Sequence, residues 1–162
     1  PPQNERLYID VLKVEFEKTP ASKESTPPTG SADGKTSEND STGNTNYGKK
    51  VTVIVPANVK WFSTGISVDG GRVRITRLSG EWTNGGNEPI YTDARGSGSW
   101  SGLLVPSAPF RALVARTNVQ PAFYVGNDWS GKLKGGLELS INDTDSFYDN
   151  KGSQKIVIEI EN

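Results

Sequence analysis

RVRITRLSGEW, residues 72–82, sets Val73 and Ile75 between Arg72, Arg74 and Thr76, the period-two alternation of a strand with one buried and one solvated face. KIVIEI at 155–160 repeats it, with Ile156, Ile158 and Ile160 on one parity and Val157 and Glu159 on the other. Working outward, further strand-like runs lie between Gly, Asn, Asp and Pro punctuation. They are KVTVIVP at 50–56, VKWFSTGISV at 59–68, FRALVART at 110–117, AFYVG at 122–126 and KLKGGLELSI at 132–141. No stretch of ten or more residues carries a helical stripe. Short strands separated by turn signals predict an all-β antiparallel sandwich, with two sheets facing each other over residues 49–162. Trp61, Phe62, Trp82, Phe123, Tyr124 and Trp129 are candidate contributors to its core. Residues 83–109, with NGG, GSGS and PSAP, form the longest excursion between strands, either a binding loop or a disordered one.

The first 48 residues read differently. LYIDVLKVEF at 7–16 is an apolar island and predicts a strand-forming tail over 1–20, closed by Pro20. Residues 21–48 are Ser, Thr, Gly, Asn, Asp and Lys almost throughout, a composition that buries too little surface to offset its ordering entropy, and predict a flexible linker or loop.

Composition removes much chemistry. The 162 residues contain no Cys and no His, which excludes disulfides, thiolate metal sites, a cysteine nucleophile and the usual neutral-pH general base. Eighteen Lys and Arg against 19 Asp and Glu give a net charge of -1, without the broad basic field that nucleic-acid binding draws on. No apolar run is long enough for a transmembrane helix, and the N-terminal residues lack the order of a signal peptide, which leaves the compartment open. Carboxylate pairs for glycoside hydrolysis have no fixed separation here, so binding ranks above catalysis.

The densest set of oxygen ligands is INDTDSFYDN at 141–150. Asn142, Asp143, Thr144, Asp145, Ser146, Asp149 and Asn150 bring three carboxylates, two amides and two hydroxyls into nine positions. Neighbouring carboxylates repel unless a cation offsets them, and calcium takes six to eight oxygens. The same residues are also ordinary turn formers. Both readings stand on composition.

The order of several blocks carries a resemblance. WFSTGISVDGG at 61–71, RITRLSGEW at 74–82, RALVAR at 111–116, FYVG at 123–126 and LELSIND…DNKGS at 137–153 together resemble the PA-IL-like family of calcium-dependent galactose-binding lectins, over about residues 50–162. The resemblance implies a jelly-roll-like sandwich of the galactose-binding-lectin type and a calcium ion completed by sugar hydroxyls. It assigns Asp143, Asp149 and Asn150 as side-chain ligands, with Ser146 or Asp145 in a shortened middle and Gly85 as a carbonyl donor. Where the family has a His-containing sugar-contacting stretch, this chain has YTDARGSGSWSG at 91–102. Asp93, Arg95 and Trp100 are its candidate sugar contacts, beside Asp143 and Asp149 through the ion. Trp100 is equally read as a loop anchor, and Trp82 as core. The expected function is a calcium-dependent carbohydrate-binding module, non-enzymatic, with glycans or polysaccharide as partners and a secreted, periplasmic or cell-surface location. Homo-oligomers or host domains would supply avidity. The competing expectations are an interaction sandwich without a working sugar site and an accessory domain of a larger enzyme.

Overall fold

The computed structural model describes residues 47–161, apart from 88 and 145. The expected tail at 1–20 and all but the last two residues of the expected linker at 21–48 lie outside the described residues. Six strands are present: β1 Tyr47–Pro56, β2 Phe62–Thr83, β3 Leu113–Thr117, β4 Phe123–Tyr124, β5 Asp128–Ile141 and β6 Lys151–Glu161. Every pairing is antiparallel, in the order β1-β6-β2-β5-β3-β4. The alternation in the sequence becomes one buried face. Val53 and Val55 of β1 and Ile156 and Ile158 of β6 are at most 2% exposed, while Thr52 and Ile54 face solvent. The register sets Val53 opposite Ile156 and Val51 opposite Ile158. A single apolar cluster joins β1, β2, β3, β5 and β6.

The all-β antiparallel arrangement is hydrogen-bonded as one continuous ladder, and β2 is the reason. The runs at 59–68 and 72–82 are one strand that passes through Asp69-Gly70-Gly71 instead of ending there. From Asp69 to Arg72, β2 advances three residues while its partner β5 advances two, Lys134 to Lys132; from Arg77 to Ser79 it advances two against one on β6. Each extra residue is a bulge that bends the strand and flips which parity faces inward. Accordingly Ile66 and Val68 are buried before the Asp69–Arg72 bulge, Val73 and Ile75 after it, and Trp82 after the Arg77–Ser79 bulge. Gly70, at a φ of +80°, supplies a backbone conformation that a side chain would strain. One bent strand thus pairs with β5 and with β6 and carries the ladder continuously across the all-β arrangement.

The described residues of the 84–112 connection are coil with several buried side chains. Ala94, Leu103, Val105, Ala108, Phe110 and Ala112 are buried, Trp82 bridges Thr92, and Leu113 N donates to Ala94 O at 2.8 Å. This connection packs against the 142–150 loop: Leu104 N donates to Asp143 O at 3.1 Å and Asn142 N to Ala112 O at 2.7 Å.

Candidate functional site

Asn142 opens the loop with its side chain turned to the backbone. Its Oδ1 accepts from Val105 N at 2.9 Å, and its Nδ2 donates to the carbonyls of Val105, Ala108 and Pro109 at 3.0–3.2 Å. The residue is fully buried. It pins the 103–110 coil to the end of β5. Its carboxamide, part of the oxygen-rich set in the sequence, is therefore already engaged.

The remaining ligand candidates fall differently. Asp143 is 4% exposed; its Oδ1 accepts from Thr144 N at 2.7 Å, and Oδ2 makes no hydrogen bond among the described residues. Asn150 is also 4% exposed, with Nδ2 donating to Ala57 O at 3.1 Å. That bond fixes its orientation, and Asn150 Oδ1 is buried with no partner. Asp149 Oδ1 is buried and unpartnered too. Gly85 lies against Asp149: a Cβ on Gly85 would sit 2.6 Å from Asp149 O and 2.9 Å from Asp149 Oδ2. With φ at +78°, Gly85 is the residue type that fits there. Ser146 is exposed, and Asp145 lies outside the described residues.

Two adjacent buried oxygens without donors are costly. Leaving a polar group desolvated and unpaired costs roughly 1–3 kcal/mol, and more for a charged one. A hard cation is one partner that would remove that cost for amide and carboxylate oxygens. No group of three or more acidic, His or Cys side chains forms a cluster among the described residues.

Arg111 connects the two sides of this end. Its backbone is clamped: N donates to Asn142 O at 2.9 Å, and O accepts from the indole Nε1 of fully buried Trp82 at 2.7 Å. Its φ is +64°, rare for a side-chain-bearing residue. The guanidinium lies 4.4 Å from the Phe110 ring centroid, and Nε donates to Asn84 Oδ1 at 2.6 Å. Burial pushes its pKa down, while the charge of Asp143 pulls it up. Phe110 in turn stacks on Trp100 at 5.9 Å and 26°. Trp100 is 65% exposed, so most of its surface is open to a ligand. Arg111, Phe110 and Asn84 were not singled out by sequence reasoning. The left-handed turn that aims Arg111 leaves no trace in residue pattern.

Asp93 and Arg95 are bound to each other. Arg95 donates to the Asp93 carboxylate through NH2 at 2.8 Å and through Nε at 3.0 and 3.2 Å, Arg95 N donates at 2.9 Å, and Asn127 Nδ2 adds a bond at 3.3 Å. They line a hollow of about 500 Å³ with Glu81, Thr92 and Gly96. No described contact ties that hollow to the 142–150 loop. The hydrogen bond and charge of Arg95 hold the Asp93 carboxyl at about 2, against an ordinary 3.8. A depressed folded-state value means stability present above pH 4 and lost as pH falls toward 2. Asp93→Asn is therefore expected to cost stability at neutral pH, with the difference from the parent shrinking across that acid window in parallel denaturant titrations. A constant difference would remove the carboxylate from the account.

A wider groove of about 990 Å³ runs past Trp61, Arg116, Asn118, Gln120 and Glu138 and reaches Leu104 of the coil and Lys60, whose ammonium lies 5.8 Å from the Phe147 ring centroid. The unpartnered oxygens of Asp149 and Asn150 weigh more than that concavity, because a buried lone pair demands a partner and a groove does not. Arg74 pairs with Asp128 at 3.0 Å and Arg72 with Glu161 at 3.9 Å. Among the described residues no helix is long and apolar enough to cross a membrane.

An antiparallel all-β domain whose 103–112 coil is hydrogen-bonded to the 142–150 loop has the build of a lectin-like binding domain. The comparisons agree at that level. No family model matches the chain, and no curated protein does. The chain is similar to a solved structure described as the EclA N-terminal domain, a PllA-like lectin. The TM-score is 0.54 and the identity 26%, over 68% of this chain and 95% of that one. The chain is a distant lectin-like homologue of that domain. The likeness is to a non-catalytic lectin domain, consistent with a non-enzymatic protein.

Proposed function

We propose that this protein is a calcium-dependent carbohydrate-binding module of the PA-IL-like, jelly-roll type, acting by equilibrium binding outside the cytoplasm. The observation that carries the reading is the pair of buried, unpartnered oxygens on Asp149 and Asn150, in a loop whose Asp149 is packed against Gly85. Asp143, Asp149, Asn150 and the Gly85 backbone would hold the ion, with Ser146 or Asp145 closing the set. Bound calcium supplies open coordination positions to vicinal sugar hydroxyls. The chain's own residues do the rest. Asn142 and Asn150 fix the loop to the coil and to Ala57, and Trp100, backed by Phe110, offers a ring for the apolar face of a pyranose. The lectin-like similarity supports glycans as the partner class.

Calorimetric titration of chelator-treated protein with calcium, against magnesium, tests the ion, and a glycan screen with and without calcium tests the sugar. Saturable binding near one ion per chain is expected. Absence of heat at millimolar calcium would overturn the metal-bridged reading and leave an interaction sandwich. Trp100→Ala should lower glycan affinity roughly tenfold, the worth of about 1.4 kcal/mol, with thermal stability near that of the parent because the ring is largely exposed. An equal loss of stability would make Trp100 a loop anchor instead.

A further inference from the structure

We infer that Arg111 selects saccharides bearing a carboxylate, so that the preferred ligand is an acidic sugar such as a hexuronate. The inference rests on the proposed lectin site and names its ligand class. Arg72, Arg74, Arg95 and Arg116 each hold a carboxylate within 4 Å, and Arg77 bonds Gln154 Oε1 and Gly80 O. Arg111 has no carboxylate at ion-pair distance among the described residues. Its hydrogen-bond partners are two neutral oxygens, Asn84 Oδ1 at 2.6 Å and Ser97 Oγ at 3.5 Å. Only Nε is held at short range, which leaves NH2 unbonded and NH1 weakly bonded. A guanidinium reads a carboxylate through two parallel N–H groups, and those are the ones left over.

The charge is also held in place. The backbone is clamped by Asn142 O and the Trp82 indole, the side chain is stacked on Phe110, and the left-handed φ is kept at a position where glycine would be easier. Asn84 and Phe110 set the guanidinium between the two halves of the proposed site. Asn84 adjoins Gly85, which packs on Asp149, and Phe110 backs Trp100. A sugar stacked on Trp100 and chelating an ion through its ring hydroxyls would present an exocyclic group beside Arg111. A neutral hydroxymethyl group leaves that charge unanswered; a carboxylate answers it.

The test compares methyl galactoside with methyl galacturonoside, which differ at C6, in calcium by calorimetry, on the full chain and on Arg111→Gly. Glycine suits φ +64°, so this variant is expected to fold at least as well as the parent. The parent should bind the uronate about tenfold tighter than the neutral sugar, and Arg111→Gly should lose that preference while binding the neutral sugar as before. The variant should also bind calcium alone more tightly, because a like charge near Asp143 is gone. Neutral and acidic sugars bound equally by the parent, or a preference that survives in Arg111→Gly, would overturn the inference and leave the lectin reading intact. Binding of neither sugar at saturating calcium would overturn both.

Discussion

Asp143→Ala is expected to abolish calcium binding in the chelator-stripped titration, a loss of at least about 100-fold, and calcium-dependent glycan binding with it. The side chain is 4% exposed, one oxygen is occupied by Thr144 N, and the other makes no hydrogen bond among the described residues. Alanine removes a carboxylate from a set that also draws on Asp149, an amide, a backbone carbonyl and Ser146 or Asp145. The remaining Asp149 would have to balance a divalent charge with Arg111 still close by. Stability gives an independent readout. A ligand that binds only the folded chain stabilises it by about 2.7 kcal/mol at a hundred times its dissociation constant. The parent should therefore melt on the order of 10 °C higher in saturating calcium, and Asp143→Ala should show no such rise. Strand content by circular dichroism should match the parent, because the carboxylate bonds nothing beyond its own turn. An unchanged calcium response in Asp143→Ala would remove this residue from the site.

The strands were legible in the sequence because burial on one face imprints a period of two, which Val53 and Val55 keep and which Ile156 and Ile158 follow although Val157 between them is also buried. The connectivity of β2 was not. A bulge reverses the inward parity, so Val68 and Val73 fall out of phase and read as two strands, although one backbone joins them. The site shows the same division. Composition drew attention to 142–150, and Gly85 was assigned from family resemblance; the structure sets Gly85 on Asp149 and leaves oxygens of Asp149 and Asn150 without partners. Composition does not say which oxygens are free. Asn142 and Asn150 have the same side chain in one short loop, yet the first is saturated by backbone and the second is not. Asp93, a candidate sugar contact by its polarity, is instead tied to Arg95 and Asn127. Arg111 lay beyond sequence reasoning because its role depends on a left-handed turn and on what Asn84 and Phe110 bring to it.

That difference between the two asparagines gives the other large expected effect. Asn142→Ala should destabilise the domain by roughly 2–5 kcal/mol, because it strips the partners from the Val105 N–H and the Ala108 carbonyl, each unpaired group costing about 1–3 kcal/mol, while the carbonyls of Val105 and Pro109 keep Ala108 N and Ala112 N. Against a typical total of about 5–15 kcal/mol, the variant should be marginal in denaturant titration. Asn142→Asp separates anchoring from ligation. As a metal ligand, residue 142 would accept aspartate readily, since a carboxylate binds calcium better than an amide does. As an anchor it cannot, because the change replaces an NH2 donor with an acceptor facing the carbonyls of Val105, Ala108 and Pro109 at 3.0–3.2 Å. The expected result is that Asn142→Asp is at least as unstable as Asn142→Ala near neutral pH and recovers in acid, where protonation restores one donor. The sign follows from burial and the opposing carbonyl oxygens, which raise the folded-state pKa of that aspartate above its unfolded value, so stability falls as pH rises. Stability rescued by calcium at neutral pH would instead place residue 142 among the ligands and turn its four backbone bonds into a feature of the ion-free loop.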